Sequence, residues 1–155
     1  MSDNYQTYRK RVMSKTKIIV IDDDTAVTDL LSVLLSSHGF DVFVTNNSTD
    51  GMGMIRDENF DLVILDLMMP EMDGWEICKE VRSFSQVPII VLSALNDPSM
   101  VASVLDAGAD DYLTKPTPSR ILVAHINRLT RRNGNGSVPA TNNIVTGPAK
   151  PLTAS

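Results

Sequence analysis

Four short apolar runs in this chain each end on a residue of definite chemistry, and no other feature restricts the fold as much. Lys17-Ile-Ile-Val-Ile leads into Asp22-Asp23, and Asp61-Leu-Val-Ile-Leu leads into Asp66. Val87-Pro-Ile-Ile-Val-Leu92 ends on Ser93, and Asp111-Tyr112-Leu-Thr ends on Lys115-Pro116. Short apolar runs bounded by polar or turn residues read as strands buried on both faces, as in a parallel sheet. The carboxyl ends of such strands share one rim of an open α/β sheet, where ligands bind. Acids, a hydroxyl and a lysine on one rim suit a divalent cation and a phosphoryl group.

Between the runs the hydrophobic period changes from that of a strand to that of a helix. Strands are expected at 17–22, 41–45, 61–66, 88–92 and 110–113. From Thr25 to Ser37, Val27, Leu30, Leu31, Leu34 and Leu35 recur at three- and four-residue spacing, and Gly39 stops the pattern. Ser48 or Thr49 is placed to cap a second helix with Met52, Met54 and Ile55 inward. Asp73 opens a third, with Trp75, Ile77, Cys78 and Val81 on its apolar side. Asp97 or Pro98 opens a fourth that runs to Asp106 and closes at Gly108. The last, from Pro118 to Arg131, turns Ile121, Leu122, Ile126 and Leu129 toward the sheet. Strands alternating with helices imply an α/β protein with right-handed crossovers and helices on both sheet faces.

The 155 residues suffice for one domain with a sizeable core, expected over 17–132, plus tails. Residues 1–16 are polar, carry Arg9, Lys10, Arg11 and Lys15 without a period, and read as a flexible extension. Residues 133–155 are rich in Asn, Gly, Ser, Pro and Thr, which cannot build a core, so a flexible tail or linker stub is expected. No apolar run is long enough to span a bilayer, so no membrane contact is expected. No N-terminal apolar region precedes a small-residue cleavage site. The single cysteine, Cys78, excludes an internal disulfide and fits a reducing cytoplasm, the expected location. The net charge of −5 argues against direct nucleic-acid binding by this domain.

Each rim residue has a plain reading and a chemical one. Asp22 and Asp23 repel one another unless a cation lies between them, which invites Mg2+; Asp24 beside them is free to cap the helix. Asp66 is a metal ligand, a nucleophile or both, although a lone aspartate at a strand end also makes an ordinary turn. Lys115, held extended by Pro116, suits a phosphoryl oxygen or a counter-carboxylate. The Ser93 hydroxyl donates to that same oxygen or caps its turn. No glycine-rich Walker loop is present, so backbone amides do not cradle a nucleotide. His38 and His125 fall within helical stretches, where helix-surface or partner-facing positions are expected rather than metal ligation.

These stretches, Val-Ile-Asp22-Asp23, Asp66-Leu-Met68-Met-Pro70-Glu-Met-Asp73-Gly74, Leu-Ser93-Ala and Gly108-Ala-Asp-Asp-Tyr112-Leu-Thr-Lys115-Pro116, resemble the receiver domain of two-component response regulators. The resemblance spans residues 17 to about 132 and is closest to the winged-helix (OmpR/PhoB-type) branch. It implies a flavodoxin-like, doubly wound five-stranded parallel sheet in the order 2-1-3-4-5. It implies that Asp66 accepts a phosphoryl group from the phosphohistidine of a sensor histidine kinase. Asp23, Asp66 and the backbone carbonyl of Met68 would then ligate Mg2+, with Asp22 acting mostly through water. Lys115 would pair with the phosphoryl oxygens, Ser93 would move to bond them, and Tyr112 would turn inward. A cis Lys115–Pro116 bond is also implied. On this reading the protein is a phosphorelay or signalling component, and no enzyme beyond its own phosphorylation and slow dephosphorylation.

The resemblance further implies a homodimer through charged pairs on the fourth helix, fifth strand and fifth helix. Asp106, Asp110, Asp111, Arg131 and Arg132 agree with that. Ser103, Arg120 and His125 depart from it, standing where basic, acidic and basic partners are expected. The residues after the last helix contain no DNA-binding domain. Met68 and Leu95 lie two positions beyond Asp66 and Ser93, where the family positions the attacking water. Neither side chain can orient water, so slow self-dephosphorylation is expected. Trp75 reads as packing and Cys78 as a semi-buried apolar residue without a redox role. Two other readings share the chemistry or the fold. A haloacid-dehalogenase-like phosphotransferase needs its aspartate motif on the first strand, where Ala26 ends the Asp22-Asp23-Asp24-Thr25 stretch. A vestigial interaction module would keep the acidic pocket without using it.

Overall fold

Residues 17–21, 41–45, 62–65, 89–93 and 111–114 form one parallel sheet. The strands are Lys17–Ile21 (β1), Asp41–Thr45 (β2), Leu62–Leu65 (β3), Ile89–Ser93 (β4) and Asp111–Thr114 (β5), ordered β2-β1-β3-β4-β5. The computed structural model describes residues 14–133 together with positions 4 and 6. Among the described residues the helices are Thr25–Ser37 (α1), Ser48–Asp57 (α2), Gly74–Arg82 (α3), Pro98–Asp106 (α4) and Ser119–Asn133 (α5). Most of the expected extension over 1–16, and of the tail over 133–155, lies outside the described residues.

Alternate residues of each strand point to opposite faces, and the core divides accordingly. Ile19, Ile21, Val63, Leu65, Ile89 and Val91 pack against Met52 and Ile55 of α2, Ile77, Cys78 and Val81 of α3, and Val104 of α4. Ile18, Val20, Leu62, Ile64, Ile90 and Leu92 pack against Leu31 and Leu35 of α1 and Leu122, Ile126 and Leu129 of α5. Central strands buried on both sides therefore need apolar residues at every position, which is why their runs are unbroken. Each fully buried Ile or Leu contributes roughly 1.5–3 kcal/mol of transfer free energy.

Several expectations need correction. The N-cap of α2 is Asn47, whose side chain accepts from the Asp50 N–H; Ser48 is instead buried as the first helical residue. Leu30 is 64% exposed and Ile121 48% exposed, so neither faces the sheet. Their neighbours Leu31 and Leu122 take the inward places, because adjacent helical residues diverge by about 100°. Cys78 is fully buried rather than semi-buried. Strand limits shift by a residue, as at β3, where the Asp61 N–H bonds the Lys17 carbonyl while its carboxylate accepts from the Lys17 N–H. Gly108 does close α4, with φ +121° and Arg82 Cγ 2.6 Å from where a Cβ would stand.

Arg82 fastens the end of α3 to its surroundings. Its guanidinium donates to the carbonyls of Gly108, Ser85 and Val87 and to the Asp110 carboxylate. At the opposite end of the sheet from the acids, the Lys17 ammonium sits 4.9 Å from the Phe43 ring centroid and 5.0 Å from that of Phe60.

Candidate functional site

Strand order reverses between β1 and β3: the chain leaves β1 for one side of the sheet and returns at β3 to build the other. The crevice outside the carboxyl ends of such a pair is where an α/β sheet opens to a ligand. Asp22 and Asp23 follow β1 there, and Asp66 follows β3. One carboxylate oxygen from each of the three lies within 4.8 Å of the others. Asp22 is 3% and Asp66 8% exposed, whereas Asp23 opens to solvent.

Lys115, at the end of β5, reaches across to this cluster. Its ammonium is 2.6 Å from Asp22 Oδ2 and 3.7 Å from Asp66 Oδ1. The other Asp22 oxygen accepts from the Asp24 N–H at 2.9 Å, and Asp24 itself caps α1 through the Ala26 N–H. The Lys115–Pro116 bond is cis. Burial holds the Asp66 carboxyl above the usual carboxylate range, and the charges of Asp22 and Asp23 add to this. Lys115 and the Met68 backbone oppose it.

Behind Asp66 the chain passes close to itself. Gly74, the first residue of α3, donates its N–H to the Leu67 carbonyl at 2.9 Å. A Cβ there would meet Leu67 Cα at 2.8 Å and the Asp66 carbonyl at 3.0 Å, so only glycine lets α3 begin this near the site. Asp73 caps α3 by accepting from the Glu76 N–H. Met68 projects outward, 55% exposed.

Ser93 ends β4, almost fully buried, and its Oγ accepts from the Leu95 N–H at 3.2 Å. The Tyr112 hydroxyl donates to the carbonyl of that same Leu95. Leu95 is thus held at both ends of its backbone by the two residues expected to switch. Trp75 is partly buried against the core, as its packing reading required, and its indole N–H donates to Ser103 Oγ at 3.0 Å.

The histidines stay out of the cluster. The exposed His38 places Nδ1 2.9 Å from the Leu34 carbonyl at the end of α1. His125 is partly exposed on α5, and its Nδ1 lies 2.8 Å from Asp111 Oδ2, a carboxylate that also accepts from Arg128. Two site neighbours escaped the sequence reading. Asn46 donates to the Asp22 carbonyl, and Glu71 accepts from Asn47 and Thr49. No local pattern signals contacts formed between segments 22–24 residues apart.

All of the donor atoms in the cluster are oxygen, and three carboxylates crowd a space that one cation fits. Residues 18–127 match the family model for the response regulator receiver domain. The probable transcriptional regulator ycf27 of Porphyridium aerugineum is 41% identical over 132 residues, covering 85% of this chain and 54% of that protein. The DNA-binding response regulator MtrA of Mycobacterium tuberculosis is 40% identical over 119 residues, 77% of this chain and 52% of MtrA. The chain thus spans about half the length of the curated relatives it matches. Among solved structures, the Francisella response regulator 1452 receiver domain superposes with a TM-score of 0.74 at 32% identity, covering 77% of this chain and 99% of that one. The BeF3-activated receiver domain of Klebsiella pneumoniae RstA gives 0.72 at 35% identity, with 74% and 98% covered. The chain belongs to the response regulator receiver domain family, the phosphorylation-dependent signalling modules of two-component systems.

Proposed function

We propose that Asp66 is the phosphoacceptor of this receiver and that Asp22, Asp23, Lys115, Ser93 and Tyr112 serve its phosphorylation and readout. Receiver domains are phosphorylated by histidine kinases and are signalling modules rather than enzymes in the usual sense. The observation that carries the assignment is the buried Asp66 carboxylate, flanked by two acids within 4.8 Å and an ammonium at 3.7 Å. In the transfer an Asp66 oxygen bonds to phosphorus while the phosphorus–nitrogen bond of a phosphohistidine breaks. The bonding pair leaves with the imidazole.

The receiver family uses Mg2+. Here Asp22, Asp23, Asp66 and the Met68 carbonyl would hold it, and when bound it supplies positive charge against the phosphoryl oxygens. Phosphorylation replaces one negative charge on Asp66 by roughly two. Lys115 meets this by turning from Asp22 to a phosphoryl oxygen, a short move because it already touches both carboxylates. Among the described residues Ser93 Oγ serves only as an acceptor from Leu95, so its proton is available to the new phosphoryl group. Shifting Ser93 releases the Leu95 N–H, and through the Leu95 carbonyl it disturbs Tyr112. Two residues bonded to one backbone unit therefore rearrange together, and the α4–β5–α5 surface carries the signal.

Two of the three acids expected to pair across a dimer on that surface, Asp110 and Asp111, are occupied within the chain. Asp110 accepts from Arg82 and the Ile89 N–H, and Asp111 from His125 and Arg128. A homodimer there has to form around these bonds. The haloacid dehalogenase reading does not survive the family match, and the reactive aspartate follows the third strand rather than the first. The test is incubation with Mg2+ and acetyl phosphate or phosphoramidate, followed by intact mass measurement. One retained phosphoryl group that Asp66→Asn abolishes is expected. An unmodified wild-type chain contradicts the assignment and points to a vestigial pocket.

A further inference from the structure

We infer that Asn46 is a positioning residue for the cation site, pinning the Asp22 carbonyl and thereby aiming the Asp23 carboxylate. The inference rests on reading the acidic cluster as the Mg2+ site. Asp22 and Asp66 are buried and held by bonds of their own; Asp23 is different. It is exposed, and no hydrogen bond from the described residues fixes its carboxylate. Yet its oxygen stands within 4.8 Å of those of Asp22 and Asp66. Only the main chain leading into Asp23 can put it there.

That main chain is held on both sides. The Asp22 N–H donates to the Thr45 carbonyl at 3.2 Å, continuing the β1–β2 ladder one step past the strand. The Asp22 carbonyl, which lies in the peptide plane joining Asp22 to Asp23, accepts from Asn46 Nδ2 at 2.8 Å. An amide nitrogen carries two protons. The second goes to Thr28 Oγ1 at 2.9 Å, and Thr28 is 1% exposed in the first turn of α1. Its hydroxyl passes its own proton to the Thr25 carbonyl at 3.1 Å. One side chain from the β2–α2 loop therefore joins the acidic turn to the helix that follows it.

Asn46 is itself exposed and contributes nothing to either core cluster, so burial does not account for its place. Its chemistry does. An amide supplies two donors without charge. A lysine in its place would compete with the cation, and an aspartate could not donate to a carbonyl. Because the Asp22–Asp23 plane is fixed before any cation arrives, no ordering of that turn opposes binding.

The test titrates Mg2+ into the full 155-residue chain by isothermal titration calorimetry, alongside melting in EDTA. Asn46→Ala is expected to weaken Mg2+ binding about tenfold, the scale seen when a group orienting a metal ligand is lost. Its melting temperature should change little, since the residue is exposed. Leu129→Ala supplies the contrast: it truncates a buried side chain of α5 that bonds neither Asn46 nor the acidic turn, so it lowers the melting temperature and leaves the Mg2+ affinity intact. Wild-type affinity in Asn46→Ala overturns the inference, as does an equal loss in Leu129→Ala, which would mark general loosening. A wild-type chain that binds no Mg2+ overturns the reading of the site itself.

Discussion

Lys115 stands between two carboxylates, and burial opposes the ionisation of one of them, Asp66, a tension with a measurable sign. Asp66 keeps its proton to higher pH in the folded chain than its ordinary value of 3.8, first because it is buried and then because Asp22 is near. A carboxyl raised in this way contributes its stability in full below pH 3.8 and loses it as pH rises through the folded value. At neutral pH without metal, an ionised Asp66 therefore costs stability. Asp66→Asn should melt above the wild type at pH 7 in EDTA, with the gap narrowing toward acid; an equal or lower melting temperature contradicts the account. With Asp66 as the proposed phosphoacceptor, its neighbours bear on the lifetime of the phosphorylated state. Met68 is 55% exposed but carries no group able to orient water, and Leu95 lies partly buried against the core. The phosphorylated chain, followed alone with Mg2+ by radiolabel, should hold its phosphoryl group far beyond seconds. Label lost within seconds defeats this reading. Asp66, Lys115 and Ser93 were legible as candidates because each ends an apolar run. Asn46 was not, since an asparagine in a loop looks the same whether or not it bonds a distant carbonyl.

Among the elements, α2 shows how one residue type can play two parts two positions apart. Gly51 faces β1, where a Cβ would lie 2.6 Å from Ile21 Cδ1, so this glycine lets the helix sit against the sheet. Gly53 has nothing within 4 Å of an added Cβ and sits inside the helix. Gly53→Ala should stabilise the protein by roughly 0.5–1 kcal/mol. Gly51→Ala should destabilise it, because the gain in helix propensity is outweighed by overpacking worth roughly 1–3 kcal/mol. Chemical denaturation of both variants checks the pair, and a stabilised Gly51→Ala would show that α2 can slide. On the edge strand β5, burial alone would raise the Asp111 carboxyl, but hydrogen bonds from Arg128 and His125 outweigh it and hold the group below the usual range. The order and type of the elements followed from periodicity. The facing of their margins did not, as Leu30 and Ile121 show, because an apolar residue at the edge of a helical stripe turns inward only if a neighbour leaves room.

For the molecule as a whole, Cys78 reports on the integrity of the core. It is fully buried between α3 and the sheet, and burial pushes its thiol from 9.0 up to about 11. Between those values the unfolded chain ionises the thiol while the folded chain keeps its proton, so stability falls as pH rises through that window. At pH 8 a thiol reagent should modify the native protein only as fast as the core opens, and denaturant should accelerate it sharply; prompt labelling of native protein contradicts this burial. Among the described residues no helix is long and apolar enough to cross a membrane. The amino-acid sequence by itself determined the alternation of strand and helix, the faces each strand presents, and which polar residues stand at strand ends. These are legible because solvent exclusion imprints a short period on the chain. Only the tertiary structure decided that Lys115 meets Asp22 from 93 residues away, and that it lies nearer to Asp22 than to Asp66. It also decided that Ser93 and Tyr112 share Leu95. Contacts of that kind depend on strand order and register, which arise from packing the whole sheet at once and leave no period behind.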